Sequence, residues 1–187
     1  YNKPTQEGLY QHYKKIADLV DIPQILYNVP GRTSVDMKPE TVLRLSTHKN
    51  IVGIKEASGN KDRSLSLMKL CSQDMNIFTG DDKTSMSDIA DGFTGNISVT
   101  ANVAPFEMHQ MCQSALEGDI DNASKLNSKL DILHDLLFCE SNPIPVKWCL
   151  HKMGLIKKGI RLPLTWMDEK FDRPLTEGLI KSGIIDE

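Results

Sequence analysis

The sequence lacks any long apolar run. No stretch of about 18 consecutive apolar residues occurs in the chain, so no transmembrane helix is expected. The first residues do not follow the charged-then-apolar pattern of a secretory leader, and none is expected. Lysine and arginine total 22 against 25 aspartate and glutamate residues, a net charge of −3. The chain therefore lacks the basic excess of proteins that bind nucleic acid or anionic membranes.

Sequence patterns for metal ions or disulfides are also missing. The five histidines are scattered without HxH or HExxH spacing, so we expect no metal and no cofactor. The four cysteines are Cys71, Cys112, Cys139 and Cys149. They form no CxxC pair, and each lies in or beside a helical pattern. Reduced thiols that pack as small apolar side chains are expected, as in a cytoplasmic protein.

The residues that are present indicate a globular α/β protein. Apolar residues make up 40% of the chain and charged residues 25%, which is typical of a soluble folded domain. Apolar residues at steps of three and four predict a first helix from about Thr5 to Val20, with Thr5 as its cap. Short apolar runs then alternate with helical patterns. These runs predict strands near residues 24–29, 51–56, 75–79 and 96–100.

The alternation predicts a parallel sheet. Parallel strands need crossover connections, and helices then cover both faces of the sheet. The close spacing of the strands favours the wall of a (β/α)8 TIM barrel over a doubly wound sheet. Four such units make half a barrel, and an open half would leave two strand edges unpaired. The expected domains are this half-barrel at residues 1–118 and a helical C-terminal domain at residues 119–187.

One lysine interrupts an apolar strand. In the segment IVGIKEA, Lys55 follows Ile51, Val52 and Ile54, which are typical of a buried strand. Shielding an ammonium group from water lowers its pKa. The neutral amine can attack a ketone to form a Schiff base, and the iminium stabilises a carbanion on the neighbouring carbon. A lysine that simply extends into water at the end of a strand is the alternative.

The other strand ends carry further polar residues, because reactive side chains of such barrels lie at the C-terminal ends of the strands. In chain order these ends hold Tyr27, Lys55, Gly80 with Asp81 and Asp82, and Ser98–Asn102. Tyr27 can move protons beside the lysine, although a core tyrosine is the simpler interpretation. Arg32 follows a Pro-Gly turn, where it can bind a carboxylate or lie at the surface.

Two neighbouring features have ordinary structural explanations. Glu56 alternates with Lys55 along the strand and is expected to point to the opposite face. The GDDKTS segment lacks the glycine spacing of a phosphate-binding loop, so we expect it to begin a helix.

Several segments together resemble the dihydrodipicolinate synthase family. They are YNKPTQEGLYQHY, ILYNVPGRTS, IVGIKEASGN, GDD, GNISVTANVAP and NPIPVKW. They follow the family's order and spacing from Tyr1 to the C-terminus, and the YNVPGRT and GIKEA blocks are together specific. The resemblance implies a (β/α)8 barrel of the class I aldolase type with a helical C-terminal extension, of which this chain has the second half.

The resemblance also implies a reaction. The family condenses pyruvate with L-aspartate 4-semialdehyde to give 4-hydroxy-tetrahydrodipicolinate, in diaminopimelate and lysine biosynthesis. Its members are cytoplasmic lyases, usually homotetramers. No nucleic acid or membrane partner is implied. Lys55 matches the Schiff-base lysine, Tyr27 the proton-relay tyrosine, and Arg32 the arginine that holds the carboxylate of the aldehyde substrate.

Three further positions match functional positions of the family. Tyr1 matches a tyrosine that reaches across a dimer interface to complete the proton relay of the neighbouring subunit. Gly80 and Ile97 match positions whose backbone lines the pyruvate pocket. In the family, roughly a hundred residues with the first barrel strands precede the position of Tyr1.

Two alternatives remain open from the sequence. N-acetylneuraminate lyases and keto-deoxy sugar-acid aldolases of the same superfamily share the lysine and the tyrosine, but they resemble the PGRT segment poorly. A protein of another class, an inactive half-barrel that assembles with a partner, is the second alternative.

Overall fold

A computed structural model describes residues 1–186 of the chain. The chain forms two compact units, residues 1–97 and the residues from Ser98 onward. The sequence pattern predicted a division at residue 118 instead. The two helices on either side of that position, at residues 105–116 and 120–136, pack against each other within the second unit, so the structure shows no division between them.

Four parallel strands form the sheet of the first unit. They are β1 (Gln24–Asn28), β2 (Ile51–Glu56), β3 (Asn76–Thr79) and β4 (Gly95–Asn96). The strands lie side by side in chain order, and each pair is parallel, which confirms the α/β fold and the partial barrel. The fourth strand is shorter than predicted, because residues 97–99 are irregular and Thr100–Asn102 form a 3-10 turn.

The first unit also has five helices, of which the first precedes β1 and the other four connect the strands. They are α1 (Gln6–Leu19), α2 (Pro30–Thr33), α3 (Pro39–Ser46), α4 (Lys61–Cys71) and α5 (Ser85–Ala90). Helix α1 begins where the sequence predicts it, because the Thr5 hydroxyl accepts a hydrogen bond from Gly8 N at 3.2 Å. Helix α2 is a single turn directly after β1, begun by Pro30, whose ring fixes a helical φ.

The two faces of the sheet differ in burial. On one face Leu26, Ile54 and Ile77 pair across β1, β2 and β3 and are almost fully buried. On the other face the side chains of Ile25 and Tyr27 are 48% and 45% exposed. The expectation that both faces are covered is therefore met on one face only, within the part of the chain that the structure describes.

The second unit is helical. Its helices are α6 (Pro105–Leu116), α7 (Ile120–Leu136), α8 (Ile144–Lys152) and α9 (Asp172–Lys181), with 3-10 turns at Thr100–Asn102 and Glu169–Phe171. Buried leucines on α7 and α9 form much of its core. Buried Thr100 pairs with His134 Nδ1 at 2.9 Å, which joins the first 3-10 turn to α7. No helix in residues 1–186 has the length and apolar character needed to cross a bilayer.

Candidate active site

Lys55 and Tyr27 lie side by side at the C-terminal ends of β2 and β1. The parallel register pairs their Cα positions directly, so both side chains leave the same face of the sheet. The Lys55 ammonium lies over the Tyr27 ring, 4.6 Å from its centroid. The negative face of an aromatic ring attracts a cation at this distance. The structure thus brings together the two residues that the sequence proposed as nucleophile and proton relay.

The surroundings of Lys55 favour its neutral form. Burial lowers the pKa of its amine from the ordinary value of 10.5, and the nearby Arg32 guanidinium lowers it further. The Asp82 carboxylate acts in the opposite direction and raises this pKa, without cancelling the effect of burial. The side chain is only partly buried, so a small molecule has access to the amine. A partly shielded amine with a lowered pKa is the form that attacks carbonyl carbons.

Gly80 has no side chain, and the Lys55 side chain occupies the space that one would fill. A Cβ atom at this position would lie 2.5 Å from Lys55 Cε and 2.7 Å from the Ala57 Cβ, closer than atoms that are not bonded approach. Gly80 is also fixed in place, because its N–H donates to the Glu56 carbonyl at 2.6 Å. A residue without a side chain is therefore required beside the lysine.

Arg32 lies on the short helix α2, and the charge of its guanidinium lowers the pKa of the Lys55 amine. The Arg32 side chain is exposed. Helix α2 begins two residues after the end of β1 and is closed by its own hydrogen bonds: the Thr33 hydroxyl donates to the Val29 carbonyl at 3.1 Å, and Ser34 N donates to the Pro30 carbonyl at 2.8 Å. An exposed guanidinium on a hydrogen-bonded turn suits a carboxylate that arrives from solvent.

Ile97 and Tyr1 have different surroundings. Ile97 N donates to the Thr79 carbonyl at 3.0 Å, which continues the β3–β4 ladder and fixes this backbone beside the residue that precedes Gly80. Tyr1 is fully exposed at the start of the described residues. Its proposed role across a subunit interface stays a prediction.

Sequence reasoning gave too little weight to two sets of polar residues. The sequence predicts Asp82 only as a strand-end residue at the start of a helix. In the structure it is buried, accepts a hydrogen bond from Asn96 Nδ2 at 2.9 Å and raises the pKa of Lys55. Glu56 points to the opposite face, as predicted, but there it is buried with Asn28 and Arg63. A polar residue at the end of each neighbouring strand was the available signal.

The described residues give no support for metal chemistry at this position. Among residues 1–186, no group of three or more histidine, cysteine, aspartate or glutamate side chains is arranged to hold a metal ion. The functional groups at the strand ends are an amine, a phenol, a guanidinium and backbone amides. Together they can take a carbonyl compound as an imine and bind a carboxylate beside it.

Known proteins are similar to this chain over nearly its whole length. A profile of the Dihydrodipicolinate synthetase family matches residues 1–181. The chain is 57% identical over 185 residues to the 4-hydroxy-tetrahydrodipicolinate synthase of Pseudomonas syringae pv. syringae, which covers 99% of this chain and 63% of that protein. The synthase of Alcanivorax borkumensis is 58% identical over 186 residues, with 100% and 63% covered.

Solved structures agree with these relatives. The chain matches a dihydrodipicolinate synthase from Acinetobacter baumannii, solved with pyruvate, with a TM-score of 0.97 and 54% identity over 99% of this chain and 64% of that one. It matches the enzyme from Thermotoga maritima with a TM-score of 0.96 and 42% identity over 99% and 64%. The chain spans about 63% of the length of the curated relatives. It belongs to the Dihydrodipicolinate synthetase family.

Proposed function

We propose that the protein containing this chain is a 4-hydroxy-tetrahydrodipicolinate synthase, a lyase that joins pyruvate to L-aspartate 4-semialdehyde in diaminopimelate and lysine biosynthesis. One observation carries the proposal. The Lys55 amine has a pKa lowered by burial and lies over the Tyr27 ring, in a space that only a glycine at position 80 leaves open. The chain spans about 63% of its relatives, so the proposal concerns the activity of the whole protein.

The first step is the formation of an imine. The neutral Lys55 amine attacks the ketone carbon of pyruvate, a carbon–nitrogen bond forms, and the ketone oxygen leaves as water. The Tyr27 hydroxyl supplies and removes the protons that this exchange requires. Loss of a methyl proton then gives an enamine, whose carbon attacks the aldehyde carbon of the second substrate. The iminium accepts the electron pair when the methyl proton leaves, and the enamine returns that pair to the aldehyde carbon, whose oxygen takes up a proton. The amino group of the second substrate then displaces Lys55 from the imine, so the lysine is regenerated and no cofactor is needed.

The remaining residues of the proposed site bind carboxylates or complete the relay. Arg32 holds the carboxylate of the aldehyde substrate, and the backbone at Gly80 and Ile97 lines the pyruvate pocket. Tyr1 completes the proton relay of a neighbouring subunit. Its full exposure in the single chain is compatible with such a role. The proposed assembly is a cytoplasmic homo-oligomer, a tetramer as in most of the family.

Borohydride reduction in the presence of pyruvate tests the proposal. It should add one reduced pyruvyl group to Lys55, detected by peptide mass spectrometry, because only an imine is converted to a stable amine. Lys55→Met should abolish the adduct. Lys69→Met, at an exposed lysine of helix α4, is the matched control and should retain it.

The same experiment distinguishes an enzyme from an inactive half-barrel. It should be done on this chain and on a hybrid in which the chain replaces the matching part of the Pseudomonas syringae relative. An unmodified Lys55 in the hybrid would contradict the proposal. Labelling of the hybrid but not of the chain would mean that the site needs the part of the relative that lies outside the matching segment.

The other aldolases of the superfamily are not favoured, because the relatives described above carry the synthase name. Arg32→Ala separates these activities. It should weaken the use of aspartate semialdehyde, because the aldehyde's carboxylate loses its partner, and should leave pyruvate labelling of Lys55 in place. Turnover of a sugar-acid aldehyde by the unmodified hybrid, without turnover of aspartate semialdehyde, would support those aldolases instead.

A further inference from the structure

Four polar side chains form a cluster on the face of the sheet opposite to Lys55. They are Asn28, Asp36, Glu56 and Arg63, which we call the Glu56 cluster. Asn28, Glu56 and most of the Arg63 side chain are buried there, and Asp36 lies at the exposed edge. Glu56 is at its centre, with a side chain that is only 2% exposed. Its Oε2 accepts from Arg63 Nε at 2.7 Å and from Asn28 Nδ2 at 3.1 Å. Its Oε1 accepts from Ser58 N at 2.9 Å.

This cluster interrupts an apolar surface. Two residues before Asn28 and Glu56, the same face of the strands carries Leu26 and Ile54, both buried. An ion pair placed there has lost most of its hydration, and well-packed apolar residues of similar size often stabilise a fold as well or better. Stability alone therefore does not explain why this position holds a carboxylate and a guanidinium.

The cluster joins three segments that carry the proposed site. Asn28 ends β1 directly after Tyr27, and Glu56 ends β2 directly after Lys55. The third segment follows helix α2, which carries Arg32. There Asp36 accepts from Asn28 Nδ2 at 3.0 Å and pairs with Arg63 at 3.1 Å.

The segment after α2 is also held through its backbone. Met37 N donates to Asn28 Oδ1 at 3.0 Å, and the Met37 carbonyl accepts from Arg63 Nη2. Both the amide and the carbonyl of this residue are thus bound by side chains of the Glu56 cluster. The position of Arg32, five residues earlier, depends on how this segment leaves the end of β1.

The backbone of the same residues extends the ladder to Gly80. Ala57 N donates to the Asn28 carbonyl at 2.9 Å, and Gly80 N donates to the Glu56 carbonyl at 2.6 Å. Lys55 therefore lies between a fixed Tyr27 on one side and a fixed Gly80 on the other. A shift of Glu56 would move both the lysine and the glycine that leaves space for it.

We propose that the Glu56 cluster positions Lys55, Tyr27 and Arg32 for the reaction from the far side of the sheet, with Glu56 and Arg63 as positioning residues that never touch a substrate. The proposal rests on the proposed function for its chemical meaning. The proposal has two arms. In the first arm, Glu56 fixes the position of Lys55; in the second arm, Asp36 fixes the position of the segment after Arg32.

Competitive labelling of lysines tests the first arm without any substrate. A trace of an amine-specific reagent at neutral pH modifies each lysine at a rate that reports its neutral fraction and its access. Mass spectrometry then compares Lys55 with Lys125 and Lys129, which are exposed and serve as internal standards. Because no pyruvate is required, a failure of the proposed function does not affect this readout.

Glu56→Gln is the main variant, because it keeps the shape of the side chain and removes its charge. A displaced Lys55 is more hydrated and holds its proton more strongly, so we expect its relative labelling to fall by about threefold or more. Glu177→Gln is the matched control. Its carboxylate also accepts from an arginine Nε at 2.7 Å, but at the surface of the second unit, and it should leave Lys55 labelling unchanged.

Asp36→Asn tests the second arm. It should leave Lys55 labelling and pyruvate trapping within about twofold of the original values. In the hybrid enzyme, it should raise the KM for aspartate semialdehyde several-fold with a smaller change in kcat. A purely structural role of the cluster would instead lower all of these activities together.

Circular dichroism before labelling shows whether each variant is folded. If Glu56→Gln does not fold, Arg63→Lys replaces it, because a lysine keeps the charge and loses the planar fork. A folded variant with unchanged Lys55 labelling would overturn the proposal. Failure of both variants to fold would make the cluster a requirement for folding only, which would overturn it as well.

Discussion

The two faces of the same three strands differ in what they do with polar groups. On the helix-covered face, the strand ends place Asn28, Glu56 and Thr79 in register, and all three are at most 3% exposed. On the opposite face, one residue earlier, Tyr27 and Lys55 are in register and remain partly exposed. The pleat alone separates the two sets, because successive side chains point to opposite faces.

The comparison shows how the lysine of the proposed site is supported. On the covered face Glu56 accepts hydrogen bonds from Asn28 Nδ2 and Ser58 N and pairs with Arg63, and such a satisfied network makes that face rigid. On the open face, the Lys55 ammonium lies over the Tyr27 ring, and its side chain fills the space that a side chain at Gly80 would take. The rigid face can therefore hold the reactive face in place and leave the amine accessible.

The largest expected effect is on the covered face. Glu56→Ala leaves Arg63 buried without its main partner and should lower the free energy of unfolding by about 3–5 kcal/mol. Tyr27→Ala, the preceding position of the paired strand on the open face, should cost about 1 kcal/mol or less. Urea unfolding followed by circular dichroism measures both. Equal losses would remove the distinction between the two faces.

Substitutions at two isoleucines compare the two faces of the sheet without changing a charge. Ile54→Ala on the covered face should lower the free energy of unfolding by about 2–5 kcal/mol, because its side chain is fully buried. Ile25→Ala on the open face removes the same atoms from a side chain that is 48% exposed, and should cost less than about 1 kcal/mol. If Ile25→Ala proved as costly in urea unfolding, the open face would be packed in solution.

Gly80→Ala tests the space beside the lysine. The added Cβ would overlap with Lys55 and Ala57 and should cost about 1–3 kcal/mol of stability. Borohydride trapping of pyruvate on Lys55 should fall by about 10-fold or more. Gly31→Ala is the matched control, because a Cβ added there would meet no atom of the described residues within 4 Å. Wild-type trapping in Gly80→Ala would show that the lysine does not need this space.

The pH dependence of Lys55 should give the smallest and most diagnostic effect. Because burial lowers its pKa, its reaction with an amine reagent should reach half its maximum below pH 10.5. Asp82→Asn should shift this midpoint to lower pH, since the Asp82 charge favours the ammonium. Arg32→Ala should shift it to higher pH, since the Arg32 charge disfavours the ammonium. Shifts of the opposite sign would contradict the electrostatic description of the site.

Much of the first unit could be predicted from local sequence. The Thr5 cap, the alternating strands and helices, and the place of Lys55 near the end of β2 follow from residue type and spacing. The resemblance added Arg32 and Gly80, for which the pattern alone gave no decisive signal. The fourth strand is shorter than predicted, because Ile97 and Val99 give residues 97–99 a strand-like composition but their backbone is irregular.

The order of the elements, the family and the choice of Lys55 as the candidate nucleophile can be read from the amino-acid sequence, because these depend on local pattern and on motifs. The folded chain was needed to learn which face of the sheet is covered, that Glu56 is buried with Arg63, and that Gly80 lies against the side chain of Lys55. These facts depend on contacts between residues far apart in the chain. Burial, and with it the free energy of a charged group, is set by those contacts and not by the neighbours in sequence.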